Sequence, residues 1–327
     1  MTLTSSLSRR RFAGAMALAP VASLAQPRTY PDRPIKLVVA WTPGGSADTT
    51  ARLLAEQLSR RVNQPVVVEN RPGAGGRIGA LQVAQSAPDG YTVLFGAPSE
   101  LTIASATALS LPYDVLQAFQ PVTQVVSGAF MMVAAPGLAP NTVAELVAYG
   151  KAHPGKLNFA SYGNNTTNHI YGAHFTHAAG IEALHVPYKG GAPAWADMLA
   201  GHIHFMFDNA AVLMPQVRGG KMKPLAVLAP ERIRLAPAVP TMKESGYPEI
   251  GFPSWLGVLV PARTPKAIVQ ALHDDIAAVL AQPEFARVLE ERGMPANSST
   301  PAEFERALRT ETAALKAVVQ RVGLKLE

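Results

Sequence analysis

The chain has 327 residues, 48% of them hydrophobic and 16% charged, with no cysteine and a formal net charge of +6. The missing cysteine excludes disulfides, thiolate catalysis and the commonest structural zinc sites. Residues 1–25 hold three arginines and no acid, so the remainder carries only +3, and no Lys/Arg cluster interleaved with aromatics marks a nucleic-acid surface.

Ser8-Arg9-Arg10-Arg11-Phe12 opens a stretch that stays almost wholly apolar to Leu24. Its apolar run of about 12 residues is too short to span a bilayer. Small residues at Ser23 and Ala25 predict cleavage before Gln26, and the paired arginines fit a twin-arginine export address. Without a cysteine to take a lipid, the mature chain is expected free in the periplasm and not as a lipoprotein.

Residues 35–40 are apolar, β-branched and bounded by prolines, which predicts a buried strand. Ala47, Ala51, Leu54, Ala55 and Leu58 then recur at helical spacing. Between them lies Thr42-Pro43-Gly44-Gly45-Ser46-Ala47-Asp48. Ser46 is the expected N-cap, and Asp48 in the first turn opposes the positive end of the helix dipole. A glycine turn at a helix N-terminus is a ready site for a small anion, often a carboxylate, although strand-to-helix geometry alone also explains it.

Further strands are expected at 66–69, 91–95, 122–126, 131–134, 157–160, 202–207 and 224–228. Helices are expected at 78–84, 142–152, 166–179 and 193–200. This alternation reads as α/β with mostly parallel sheets flanked by helices. The last third turns helical at 266–281, 283–292 and 301–322, with one strand at 254–260. That section has little of its own to pack on, so it is expected to rejoin the first lobe. The layout becomes lobe 1 from 26–124 and 254–327, lobe 2 from 125–253, and two interlobe crossings. Ligands bind preferentially in such clefts.

Enzyme signatures are weak. Gly73-Ala74-Gly75-Gly76-Arg77-Ile78 lacks the third glycine of a dinucleotide fingerprint, and no P-loop or G-x-S-x-G occurs. His169, His174, His177, His185, His202 and His204 crowd one lobe. Positions 169 and 174 do not share a helix face, since five residues turn through about 140°. Structural or surface histidines are expected, with no catalysis, no metal and no cofactor.

Ordered motifs carry a resemblance. Tyr30-Pro31-Asp32-Arg33-Pro34-Ile35, the Pro43-Gly44-Gly45 loop with Asp48 and Arg52, and Val68-Glu69-Asn70-Arg71-Pro72-Gly73-Ala74-Gly75-Gly76 come first. Pro88-Asp89-Gly90-Tyr91-Thr92, Leu111-Pro112-Tyr113-Asp114, Val186-Pro187-Tyr188-Lys189-Gly190-Gly191 and Ser254-Trp255-Leu256-Gly257 follow. Together they resemble the Bug receptors, the TctC-like solute-binding subunits of tripartite tricarboxylate transporters. The resemblance implies a Venus-flytrap fold of the type II periplasmic binding-protein class. It also implies a monomer that holds a small carboxylate and hands it to membrane permease subunits, or else docks on a sensor protein.

By position, the resemblance places the ligand among three loops. The first has Trp41, Pro43, Gly44, Gly45 and Asp48; the second has Ala97, Ser99 and Glu100. The third, at 161–169, has Tyr162, Gly163, Asn164, Asn165, Thr166 and His169, with Asp208 as a further contact. His169 is expected to orient its loop. Glu100 stands where relatives usually have Ser or Thr, Leu101 where His is common, and Asn165 where Gly is usual. A carboxylate at 100 repels a second carboxylate and pairs with a cationic group on the ligand, unless it faces solvent or a nearby Lys or Arg. Tyr162 and Trp41 narrow the pocket, favouring a compact, aromatic or amino-bearing ligand over citrate.

Overall fold

The computed structural model describes residues 30–107, 111–251 and 254–323, together with Met1 and Thr2. The export signal and cleavage site expected before Gln26 lie outside the described residues. β1 (Ile35–Val39) leads to α1 (Ser46–Val62), and β2 (Val66–Asn70) leads to α2 (Arg77–Ala84). β3 (Thr92–Gly96) runs into a π-helical turn at Ser99–Ile103, followed by the short helices α3 (Ala104–Thr107) and α4 (Val115–Ala118). β4 (Phe119–Gly128) then hands the chain to β5 (Phe130–Ala134) in a second sheet.

That second lobe continues with α5 (Val143–Ala152), β6 (Leu157–Ser161), α6 (Thr167–Ala179) and β7 (Ala183–Pro187). It is completed by α7 (Gly191–Leu199), β8 (Phe205–Asn209), α8 (Ala210–Arg218) and β9 (Lys223–Leu228). β10 (Ser254–Pro261) re-enters the first sheet, and α9 (Lys266–Leu280), α10 (Pro283–Glu291) and α11 (Pro301–Val322) end the fold. The sheets run β2-β1-β3-β10-β4 and β7-β6-β8-β5-β9.

Both sheets are mixed, where the alternation of elements predicts mainly parallel ones. β1 pairs in parallel with β2 and β3, but β10 is antiparallel to β3 and β4. In the other sheet β6 is parallel to β7 and β8, while β5 is antiparallel to β8 and β9. The cause lies in the crossings. Strands that pass between lobes enter a finished sheet from the far end and need no helical crossover. Ser254 lies opposite Gly128 and Pro261 opposite Phe119, so the outgoing and returning strands leave the first sheet side by side.

Each sheet is covered on both faces, which explains its apolar strands. Leu37 and Val39 pack with Ala51, Leu54 and Leu58 of α1 and with Leu272 and Ile276 of α9. On the opposite face Val38 and Leu94 meet Ala80 and Val83 of α2 and Phe304 and Leu308 of α11. Met132, Phe159 and Phe205 face α5 and α6, while Met131, Ala160 and Met206 face α7 and α8. A small cluster joins the lobes: Ile103 and Ala106 with Ile170 of α6 and Leu315 and Val319 of α11.

Local differences have local causes. The N-cap of α1 is Gly45 in extended backbone, and Ser46 is the first helical residue, with no side chain capping the turn. The strand expected at 202–207 starts at Phe205 and extends to Asn209. Sequence signals mark neither β7, an edge strand with no fully buried residue, nor α8, whose interior Pro215 reads as a breaker. Among the described residues, no helix is long and apolar enough to cross a membrane.

Candidate functional site

The first loop is tied from within. Gly44 turns at φ +88, and its N–H donates to Asp48 Oδ2 at 2.9 Å. Asn70 Nδ2 donates to Asp48 Oδ1 at 2.9 Å and to the Trp41 carbonyl at 3.0 Å. Arg52 completes the set, with Nε 3.0 Å from Asp48 Oδ1 and an Nη2 bond to Asn70 Oδ1. Burial raises the Asp48 acid, but Arg52, the Gly44 amide and Asn70 outweigh it and hold the group below its ordinary range. Asp48 therefore fixes the loop's shape, with its oxygens already engaged. Pro43 and Gly44 stay exposed, and Trp41 and Gly45 are half-buried.

The second loop contributes Ala97, Ser99 and Glu100 from the turn after β3. Ser99 Oγ lies 2.9 Å from Thr167 Oγ1 in the opposite lobe and accepts the Thr167 N–H at 3.2 Å. That amide is the first of α6, whose N-cap Thr166 gives it no side-chain acceptor. Glu100 is wholly buried, so the expectation of a solvent-facing or Lys/Arg-paired carboxylate does not hold. Its Oε1 accepts the Ala97 N–H at 2.7 Å, and its Oε2 has no hydrogen-bond partner. Burial pushes the acid up to about 8, against the pull of the Ala97 and Glu100 amides and the Trp41 indole.

The third loop follows β6. Gly163 sits at φ +126 and Asn165 at φ +56, a left-handed position that Asn tolerates better than most side chains. Thr166 Oγ1 donates to the Gly163 carbonyl at 2.8 Å, and the Asn165 N–H donates to His169 Nδ1 at 3.0 Å. His169 stacks on His185 at 3.9 Å, and His185 Nε2 lies 2.6 Å from Ser161 Oγ. Burial, reinforced by His169, lowers His185 to about 3, so His185 stays neutral in this stack. His169 thus holds the Asn165 amide of this loop from the first turn of α6. Asn165 is 7% exposed, and neither its buried Oδ1 nor its buried Nδ2 has a partner.

Asp208 is the penultimate residue of β8. It accepts the Tyr162 hydroxyl, the Trp195 indole N–H at 3.3 Å and the Asn209 N–H at 2.8 Å. Burial raises the acid to about 6 despite those donors. Burial first and the Asp208 charge second drive the Tyr162 phenol well above its ordinary value. Asp208 accordingly props Tyr162 and Trp195 in place. No sequence signal marks Trp195; it joins the site only because α7 follows the Tyr188-Lys189-Gly190-Gly191 turn onto the same face.

The jaws meet at several points. A methyl group on Gly75 would lie 3.6 Å from Thr166 Cγ2, and one on Gly190 would lie 3.7 Å from Thr42 Oγ1. The structure thus brings the loops at 41–48, 97–100 and 162–169 into one interlobe region. Among the described residues, no group of three or more His, Cys, Asp or Glu is placed to hold a metal. His204 Nδ1 instead accepts the Asn158 N–H at 2.9 Å. The site can offer unpaired polar atoms and helix N-termini to a small ligand.

Comparison with known proteins gives the same frame. The family described as tripartite tricarboxylate transporter family receptor matches residues 50–324. Protein BugT of Bordetella pertussis is 35% identical over 313 residues, covering 95% of this chain and 96% of BugT. The structure of the periplasmic binding protein BugD superposes with a TM-score of 0.84 at 32% identity, covering 90% of this chain and 99% of BugD. The R. palustris protein Rpa4515 with adipate gives a TM-score of 0.85 at 32% identity, again over 90% and 99% of the two chains. On this match of sequence and fold, the chain belongs to the tripartite tricarboxylate transporter receptor family, the TctC-like Bug proteins.

Proposed function

We propose that this protein captures a small carboxylate-bearing solute between its lobes in the periplasm and delivers it to the permease of a tripartite tricarboxylate-type transporter. The observation that carries the reading is Asn165. Its amide is buried in the interlobe region with neither atom paired, a cost that a ligand removes by supplying the missing hydrogen bonds. The uncapped N-terminus of α1 supports the carboxylate, as does the adipate carried by a relative of similar fold.

In this reading, residues 26–124 and 254–327 form one lobe and residues 125–253 the other, after removal of a twin-arginine signal at 1–25. The ligand-facing set is Trp41, Pro43, Gly44, Gly45, Ala97, Ser99, Glu100, Tyr162, Gly163, Asn164, Asn165 and Thr166. Asp48, His169 and Asp208 stand behind it. Binding favours the closed arrangement by hinge motion at the paired crossings. A thermal-shift screen of mono- and dicarboxylates, amino acids and aromatic acids tests the reading. A ligand at 100 times its dissociation constant adds about 2.7 kcal/mol of stability. Failure of every carboxylate to raise the melting temperature overturns it.

A further inference from the structure

Among the described residues, the buried side-chain atoms without a hydrogen-bond partner are Glu100 Oε2, both amide atoms of Asn165, and His174 Nδ1. The first three belong to loops that the Ser99–Thr167 contact draws together. Glu100 differs sharply from the other buried acid of the same lobe's binding loops. Asp48 has Arg52 at 2.9 Å; the Glu100 carboxyl has only N–H donors.

Among the described residues, no charged or titratable side chain around Glu100 bonds its carboxyl. Arg77, at the start of α2, turns its Nε to the Ala74 carbonyl at 2.8 Å. Tyr113 donates to the Glu100 backbone carbonyl at 2.7 Å, leaving the carboxyl untouched. Glu311 of α11 accepts from Thr102 Oγ1 at 3.0 Å and Trp255 Nε1 at 2.7 Å, and it is also an acid. A methyl on Gly76 would lie 2.9 Å from Oε2, so position 76 itself carries no side chain beside this carboxyl.

We infer that the solute carries an ammonium group beside its carboxylate, and that Glu100 Oε2 receives that ammonium, helped by Asn165 Oδ1. The inference rests on the carboxylate-binding function proposed above and narrows it to amino acids. A buried carboxyl without a cation stays protonated, and an arriving cation reverses that preference. The neutral Glu100 carboxylic acid and the ligand's ammonium combine into a carboxylate–ammonium ion pair, and the carboxyl proton passes to solvent. Burial of Glu100, which holds the free protein's acid near 8, makes the release measurable at neutral pH.

Calorimetry at pH 7 in phosphate and in Tris, whose ionisation enthalpies differ, reads the proton directly. The probes are matched pairs: L-aspartate with succinate, L-glutamate with glutarate, and L-phenylalanine with 3-phenylpropionate. In at least one pair the amino acid is expected to bind roughly tenfold or more tightly than its plain acid, releasing about one proton per site. Glu100→Gln should abolish both the release and the preference, with circular dichroism confirming the fold. Tighter binding of the plain acids, or amino-acid binding with no proton released by the unaltered protein, overturns the inference and leaves carboxylate capture standing. Binding of no member of any pair also overturns the inference, and carboxylate capture falls with it when the wider thermal-shift screen gives no carboxylate hit.

Discussion

Ser99 and Thr167, 68 positions apart in the chain, bond across the two lobes: their hydroxyls lie 2.9 Å apart, and the Thr167 amide donates to Ser99 Oγ. The contact couples the turn after β3 to the N-terminus of α6, two of the loops that surround the proposed ligand. A hydroxyl that serves a helix amide of the other lobe ties the two lobes together, and in the proposed closure it acts as a latch.

Removing the latch should therefore loosen closure more than folding. Ser99→Ala leaves the buried Thr167 hydroxyl and amide without this partner, which costs about 1–3 kcal/mol. Ligand affinity should fall by a comparable free energy, and small-angle scattering should show a larger radius than the unaltered protein at the same ligand concentration. Unchanged scattering and affinity would contradict the latch.

Asp48 is expected to act on stability before affinity. Asp48→Ala strands the Gly44 N–H and the Asn70 amide, and urea unfolding should report a loss of about 1–3 kcal/mol. The pH sign follows from its depressed acidity. The contribution is full above the ordinary value of 3.8 and is lost as pH falls through the lower folded value. The variant should lose less stability than the unaltered protein across that acid window.

His185 predicts a second acid sensitivity. It stays neutral in the fold down to about 3, whereas the unfolded chain takes a proton near 6.5. Stability therefore falls as pH drops from 6.5 toward 3. His185→Phe keeps a ring against Phe159 and should flatten this slope in thermal melts. Burial lowers His174 and His204 as well, so part of the slope remains.

Glu100 runs in the opposite direction. Its acid is raised from 4.5 to about 8, so the ligand-free fold holds a proton that the unfolded chain has already released. Stability should fall as pH rises from 4.5 through 8, and Glu100→Gln should lessen that decline, the remainder coming from Asp208 and Glu311, whose acids burial also raises. Melts between about pH 5 and 8.5, without ligand, check it. An equal decline in the variant would assign the effect elsewhere.

Tyr162→Phe separates a wall from a prop. The phenol donates to Asp208 Oδ2, which also accepts from Trp195. Loss of that bond leaves a buried acceptor short and should cost about 1–3 kcal/mol. The aromatic wall itself survives, so ligands recognised only by stacking should keep their affinity.

Much of the architecture was legible because it is local. The stripe Ala47, Ala51, Leu54, Ala55 and Leu58 is buried as its spacing predicts, and Asn165 adopts the left-handed backbone its side chain permits. β7 and α8 were not legible. An edge strand needs no continuous apolar run, and Pro215 at a helix's second turn removes a bond that local reading treats as essential. The crossings were readable only in outline, since the pairing of Ser254 with Gly128 depends on two segments far apart in the chain.

Sequence alone determined the two-lobed α/β plan, the ordered family motifs and the three loops that face each other. The plan follows from periodicity and turn residues, which act over short separations, and the loops from the family resemblance that the ordered motifs carry. Tertiary structure alone decided the roles within those loops. Asp48 is expected at the ligand, and the fold engages its oxygens with Arg52 and Asn70; Glu100 is expected to meet a cation on the ligand or else solvent, Lys or Arg, and packing removes the solvent. Burial and charge pairing depend on what other segments bring near a residue, and no local pattern encodes that.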